Sequence, residues 1–283
     1  MKAIASVFML VVIFTKGYAQ GPDSIPAQIK KSPWFVERFR ITAGLFIPVT
    51  NTDLQVGIKG ISPGTPVNLQ KDLGFSNSQL TFLASFQWRM ARRSRLSVSY
   101  YNIPQKSSHI LKDDIIFKDD TFHVNTSVNS YFSTTIYQIS FGYAILAKPK
   151  FELGIQIGTH LVDAKTGISQ NGTNSSNSKS TEFGITAPLP DLGIWGGYMF
   201  NKRFSTNFNV NYLSLTIGNI AGRILGYNLV FSYRMLEKLD LALGFSGLNF
   251  KLDKTLTYYK GHFNWVYYGP YLGVTYSFGN KSW

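Results

Sequence analysis

The histidine at position 160 is the side chain best placed for chemistry, because a carboxylate, Asp163, follows it three residues later. A histidine base with an acid partner is part of a hydrolase site, which also needs a serine nucleophile within hydrogen-bond reach. No serine stands at a recognisable enzyme spacing from His160. The pattern therefore favours a structural polar pair, and a catalytic pair is the alternative.

A second polar group lies between positions 102 and 129, where two histidines flank four aspartates. Its members are His109, Asp113, Asp114, Asp119, Asp120 and His123. Oxygen ligands suit a divalent cation, but this spacing matches no calcium-binding loop. The chain has no cysteine that could bind a metal, and no glycine-rich phosphate loop. We predict a solvated loop or extended hairpin here, with no metal and no cofactor.

The elements that must position these residues show a two-residue rhythm, which is clearest over residues 263–278. One face carries Val266, Tyr268, Leu272, Val274, Tyr276 and Phe278, and the other carries Gly269, Gly273, Thr275 and Ser277. Side chains of a strand alternate between two faces. Because the face opposite the apolar one carries no charge, the pattern suits a strand with one side against lipid and the other toward a barrel lumen.

The first 19 residues have the features of a signal peptide. Lys2 supplies the positive charge, residues 7–14 are an unbroken apolar run, and Gly17 and Ala19 are the small residues that a signal peptidase recognises. We predict cleavage after Ala19, a periplasmic lead-in over 20–33, a barrel over 34–278 and a short tail over 279–283.

Composition restricts the class of partner. The formal charge of +13 accompanies 16 Tyr, 22 Phe and 5 Trp. Because the chain has an export signal and no recognisable nucleic-acid-binding motif, we expect no nucleic-acid partner. A charged fraction of 15% lies below the roughly 25% of soluble domains. We expect anionic outer-membrane lipid and lipopolysaccharide as partners, together with the envelope machinery that assembles barrels, and a monomeric protein.

Twelve strands follow the same alternation, and ten is the alternative if the second and third do not span the membrane. The predicted strands are 36–47, 53–59, 66–71, 79–88, 96–100, 130–146, 151–162, 192–200, 204–215, 223–233, 239–250 and 263–278. Short connections alternate with long ones, and outward aromatic residues collect near the short ones, as in the girdle of a transmembrane barrel. The predicted fold is a closed, antiparallel, up-and-down transmembrane β-barrel.

Polar residues of inward parity are the candidate lumen or rim residues. They are Gln138, Gln156, His160, Asp163, Asn207, Asn209, Asn211, Asn228 and Asp240. We assign none of them a catalytic role.

Residues 34–278 resemble the outer-membrane β-barrel proteins of Gram-negative bacteria. The C-terminal alternation that ends in Phe278 is similar to the terminal signal of that class, although five residues follow it. Two short motifs, Lys71-Asp72-Leu73-Gly74-Phe75 and Ala187-Pro188-Leu189-Pro190, resemble a group of uncharacterised barrels. The resemblance implies a location in the outer membrane and no particular activity.

The sequence therefore predicts a passive narrow pore or a binding barrel for small solutes or amphiphiles. A lipid A or phospholipid hydrolase at the outer leaflet is one alternative. A structural or adhesive barrel that uses the segments 102–129 and 165–181 is the other.

Overall fold

A computed structural model describes residues 32–58, 60, 64–118, 120–170, 179–255 and 259–280. The predicted signal peptide, almost all of the lead-in and the end of the tail lie outside these residues. No helix among them is long and apolar enough to cross a bilayer.

The described chain is almost entirely β-structure. Its strands are β1 (Phe39–Phe46), β2 (Val49–Ile58), β3 (Val67–Asn68), β4 (Thr81–Arg89), β5 (Ser94–Ile110), β6 (Ile115–Phe117), β7 (Asp120–Phe122), β8 (Ser127–Ala147), β9 (Phe151–Gln170), β10 (Lys179–Met199), β11 (Phe204–Ile217), β12 (Ile220–Leu236), β13 (Leu239–Thr255) and β14 (Tyr259–Phe278). One short helix, α1 (Leu69–Asp72), follows β3, and the Asn68 side chain caps it by accepting from the Lys71 amide at 3.0 Å.

The sheet closes on itself, which confirms the predicted fold class. Antiparallel pairing runs in the order β1, β4, β5, β8, β9, β10, β11, β12, β13 and β14, and β1 then pairs with β14. Phe39 lies opposite Phe278 at one end of that seam, and Phe46 lies opposite Tyr271 at the other. Ten of the twelve strands in the sheet form the ring, which agrees with the alternative of ten membrane-spanning strands.

The other two strands extend one side of the ring. β2 continues the register of β1 along β14, since Val49 lies opposite Tyr268, three residues after the Phe46–Tyr271 pair. β3 contributes only two pairs to the free edge of β2. The predicted second and third strands are therefore an extension of the first strand and a short added segment.

An exposed apolar belt surrounds the ring at the end where the connections are short. Tyr137 is 45% exposed and Leu243 is 56% exposed, although both are large and apolar. Aromatic rings pack together at the lower edge of this belt: Phe39 and Phe278 have centroids 5.1 Å apart, and Tyr198 and Phe200 are equally close. A lipid-facing band with an aromatic girdle accounts for this exposure.

The strands are longer than a membrane requires. β8, β9 and β10 have 20 or 21 residues, whereas about 9–11 tilted residues cross the hydrocarbon core. The predicted loops 102–129 and 165–181 consequently contain strand as well: β5 runs to Ile110, and β9 runs to Gln170. The wall of the barrel continues beyond the membrane on the long-loop side.

The polarity of the two faces is reversed in this extension. On β13, Leu243 and Phe245 face outward next to the inward Ser246, and a few residues later Phe250 faces inward while Lys251 faces outward. The reversal occurs at the same level on paired strands. The inward pairs below it, Gln138–His160 and Ser246–Gly269, are polar or small, and the next inward pairs, Ile136–Val162 and Leu248–Tyr267, are large and apolar. Below this level the barrel presents apolar residues to lipid, and above it the barrel encloses an apolar core.

Truncating Phe250 tests that core. Phe250 is fully buried in the extension, so Phe250→Ala should lower the free energy of unfolding by about 3–5 kcal/mol. Phe231, which is 52% exposed on the belt, is the matched control. Phe231→Ala should cost less, because lipid fills the space that the ring leaves. Urea unfolding in lipid vesicles measures the free energy of unfolding of both variants. Equal losses would contradict the assignment of Phe231 to a lipid-facing belt and of Phe250 to a packed core.

Candidate functional site: the barrel lumen

The N-terminal segment closes the short-turn end of the lumen. Trp34, Phe35 and Val36, which the sequence placed at the start of the barrel wall, lie inside it and are buried. The Trp34 indole donates to the carbonyl of Asn201 at 3.1 Å. The guanidinium of Arg234 lies 4.4 Å above the Trp34 ring and donates to the Trp34 carbonyl at 3.0 Å. These contacts hold the segment as a plug.

A buried ion pair lies at the same end. Arg89 Nη2 donates to Glu152 Oε2 at 2.8 Å, and the two side chains are 1% and 0% exposed. Arg92 contacts the other oxygen of Glu152. Removing one member would leave a buried charge without its partner, which is costly. The group therefore fixes the turn between β4 and β5 against β9.

Above this pair lies a polar cavity of about 160 Å³. Its charged and polar lining includes Arg40, Gln87, Arg95, Gln138, Gln156, His160, Asn207, Asn209, Asn211, Asn228 and Thr275. All of the predicted inward asparagine and glutamine residues therefore lie on its wall. A polar space of this size has room for several water molecules.

Arg95 lines this cavity and forms no ion pair with a described carboxylate, although the charge of Glu152 acts on it over a longer distance. Its guanidinium lies 3.5 Å from the ring centroid of Trp195. It donates to Gln87 Oε1 at 3.4 Å and to Gln156 Oε1 at 3.2 Å, and Gln156 passes the network on to Asn211 Oδ1 at 2.5 Å. Sequence reasoning missed Arg95, because it lies one residue before the predicted strand 96–100.

Glycine makes the Trp195 contact possible. A Cβ atom on Gly142 or on Gly154 would lie 2.7 Å from an atom of the indole. Neither strand could carry a larger side chain here without displacing the ring. The two glycines therefore create the space in which Trp195 supports Arg95.

His160 has a different partner from the one that the sequence suggested. Its Nδ1 lies 2.8 Å from Asp191 Oδ2, and both side chains are buried. Asp163 is an odd number of residues away, so it lies on the outer face, where it contacts Lys165 at 3.4 Å and Thr186 at 2.9 Å. The alternation along β10 could have identified Asp191 as an inward residue, but the predicted strand 192–200 began one residue after it.

Asp240 and Arg40 form a looser charged group below the cavity. Asp240 is 2% exposed and lies 3.8 Å from Arg40 and 3.9 Å from Arg234. The amide of Asn228 accepts from the Tyr271 hydroxyl at 3.3 Å. These residues fill the lumen with interlocking polar side chains.

An apolar layer covers the cavity on the long-loop side. Phe46 packs against Tyr267 with ring centroids 5.7 Å apart, and Phe132 packs against Trp265 at 6.1 Å. The long connections add to this cluster: its further members include Leu69 of α1, Leu73 just after it, Ile115 and Phe117 of β6, and Phe122 of β7. The lumen is closed toward the outside.

The predicted acidic stretch makes contacts within the hairpin region 111–126 and with β10. Asp114 accepts from the Val124 amide at 2.7 Å and contacts His123 at 3.2 Å, and Asp120 accepts from Thr181. The Val124 hydrogen bond and then the His123 contact lower the pKa of Asp114 below its ordinary value. These two carboxylates therefore bind protein donors.

Similar proteins were found by structure and not by sequence. No family model and no curated protein matches the chain. The outer membrane protease OmpT from Escherichia coli superposes with a TM-score of 0.54 at 10% identity, over 84% of this chain and 97% of that one. The translocator domain of the autotransporter NalP from Neisseria meningitidis gives 0.40 at 11%, over 85% and 88%. The chain has the fold of the outer-membrane β-barrel proteins.

Removing His160 tests the buried pair. His160→Ala leaves the Asp191 carboxylate buried without its partner, so we expect a loss of about 3 kcal/mol in the free energy of unfolding. His262, whose pair with Asp253 at 2.6 Å is solvent-exposed, is the matched control, and His262→Ala should cost less than about 1 kcal/mol. Similar losses for the two variants would show that His160–Asp191 contributes no more than a surface pair.

Acidification tests the hairpin contact. Because the pKa of Asp114 is lowered in the folded hairpin, its contribution is complete above about pH 3.9 and is lost as the pH falls through the folded value. The chemical shift of the Val124 amide, measured by NMR in nanodiscs, should titrate with a midpoint below about pH 3.9, which is the pKa of an unperturbed aspartate. Asp114→Asn should remove that titration. A midpoint above the ordinary value would contradict the assignment.

Proposed function

We propose that the protein is a binding barrel of the outer membrane that holds a small anion in its lumen cavity. The observation that carries this proposal is the position of Arg95, which lines the cavity and forms no ion pair with a described carboxylate. In this account the chain is exported by its signal peptide and inserted in the outer membrane of a Gram-negative bacterium.

The donor set of the cavity supports an anion rather than a cation. A guanidinium has five N–H donors, and the described hydrogen bonds of Arg95 use two of them. Arg40 and the amides of Asn207, Asn209 and Asn228 add further donors to the lining. A small carboxylate or an inorganic phosphate matches both this chemistry and a volume of about 160 Å³.

The closed lumen supports binding over open diffusion. A solute crossing the barrel would have to displace the apolar layer of Phe46, Phe132 and Trp265, whose side chains are at most 1% exposed. On the other side the described residues between the cavity and the periplasm are the segment 33–36, the Arg89–Glu152 pair and the Asp240–Arg40 group. We expect entry from the periplasmic side, where the described apolar cluster of Trp34, Phe35 and Val36 is the smaller of the two.

The hydrolase alternative has less support. His160 lies in the polar lumen beneath the apolar layer, away from lipid headgroups. Its Nδ1 atom is hydrogen-bonded to Asp191. No serine hydroxyl forms a hydrogen bond with His160 in the part of the chain that the structure describes. We therefore do not propose lipid hydrolysis.

Calorimetric titration of the refolded barrel tests the proposal. Inorganic phosphate or acetate should bind more tightly than neutral glycerol. Arg95→Gln should weaken anion binding about tenfold or more, because a charge-assisted hydrogen bond contributes about 1.5–3 kcal/mol. Arg223, exposed on the outer face of β12, is the matched control, and Arg223→Gln should bind as the unaltered protein does.

Bilayer recording gives an independent reading. The binding barrel should show no steady conductance in a planar bilayer. Steady open channels, or equal anion binding by Arg95→Gln and Arg223→Gln proteins that both show the heat-modifiable mobility of a folded barrel, would contradict the proposal.

A further inference from the structure

The four short turns at the periplasmic end carry a concentration of positive charge. The turns are 90–93, 148–150, 200–203 and 237–238. Their exposed cations are Arg93, Lys148, Lys150, Lys202, Arg203 and Lys238, and their exposed carboxylate is Glu237. None of the six cations forms an ion pair with a described carboxylate. We name these six residues the basic ring.

The basic ring surrounds the whole circumference. Its turns join β4 to β5, β8 to β9, β10 to β11 and β12 to β13, so one turn occurs at every second strand around the closed sheet. A folded protein that docked from one side would meet one or two of these turns. Lipid is the partner that contacts a barrel from every side at once.

The basic ring also lies at the level of lipid headgroups. Phe204 and Tyr233, with ring centroids 5.0 Å apart, adjoin the turn 200–203, and Tyr143 and Tyr198 are exposed near the ends of their strands. Aromatic rings of this kind settle where hydrocarbon meets headgroups. The cations that follow them in the chain are then placed among the headgroups themselves.

The long-loop end of the barrel carries cations and carboxylates in similar number among its described residues. Its ten lysines and arginines are Lys71, Lys106, Lys112, Lys118, Lys165, Lys179, Arg223, Lys251, Lys254 and Lys260, and its eight carboxylates are Asp53, Asp72, Asp113, Asp114, Asp120, Asp163, Glu182 and Asp253. The four short turns, with six exposed cations and one exposed carboxylate, have the larger excess of positive charge.

We propose that the basic ring binds the anionic headgroups of phospholipids in the leaflet that faces the periplasm. Each exposed cation attracts such a headgroup through its charge, and the ring as a whole selects anionic phospholipid for the shell around the barrel. This inference does not depend on the anion site in the lumen, because the basic ring lies outside it.

Spin-label measurements of lipid selectivity test the proposal. The protein is refolded in vesicles of phosphatidylcholine, or of phosphatidylcholine with about one-third phosphatidylglycerol. Spin-labelled forms of each lipid then report the fraction immobilised at the barrel. A variant with all six cations of the basic ring changed to Gln is compared with a control that carries six extracellular changes: Lys106→Gln, Lys112→Gln, Lys118→Gln, Lys165→Gln, Arg223→Gln and Lys251→Gln.

The unaltered protein should prefer phosphatidylglycerol over phosphatidylcholine about fivefold, and the control variant should retain that preference. The basic-ring variant should lose it, as should the unaltered protein in about 1 M salt. If the six-fold variant does not show heat-modifiable folding, Lys148→Gln/Lys150→Gln alone should reduce the preference by about a third. No preference in the unaltered protein, or a preference unchanged in the basic-ring variants, would overturn the proposal.

Discussion

The reversal of side-chain polarity along each strand is the constraint on which the rest of the structure depends. A barrel wall has two faces. Within the membrane the outer face contacts lipid and must be apolar, whereas the inner face can be polar. Above the membrane the outer face contacts water, so there the outer face is polar and the inner face is apolar. Phe245 and Phe250 show this on β13: the first is 42% exposed and the second is fully buried. Paired strands reverse together because antiparallel register places their inward residues at the same height.

This constraint also determines the state of the lumen. The inward face in the membrane is polar and small, which leaves the cavity beside Arg95 and His160. The inward face above it is apolar and large, and it packs into a core as a soluble barrel would. A continuous aqueous channel is incompatible with that packing. The polar cavity and the buried His160–Asp191 pair therefore lie in a lumen that the N-terminal plug covers at one end and the apolar core covers at the other.

The sequence predicted the part of the fold in which lipid imposes a simple pattern. The belt strands, the closed antiparallel sheet and the short turns follow from apolar residues at every second position. The strand extensions were missed because the reversal of polarity interrupts that pattern, so 102–110 resembled a loop. Asp163 was assigned to the lumen although odd spacing from His160 places it outside, and Asp191 was overlooked at a strand boundary. The support of Arg95 by Trp195 is a tertiary contact that no local pattern encodes.

The measurement that tests the reversal most directly is site-directed spin labelling along β8. The chain contains no cysteine, so each single-cysteine variant gives one unambiguous label. A label at Tyr137 or Phe141 should be accessible to oxygen dissolved in lipid, one at Ser133 should be accessible to a water-soluble nickel chelate, and one at Phe132 should be accessible to neither. A lipid-exposed label at position 133, or a water-exposed label at position 132, would contradict the account.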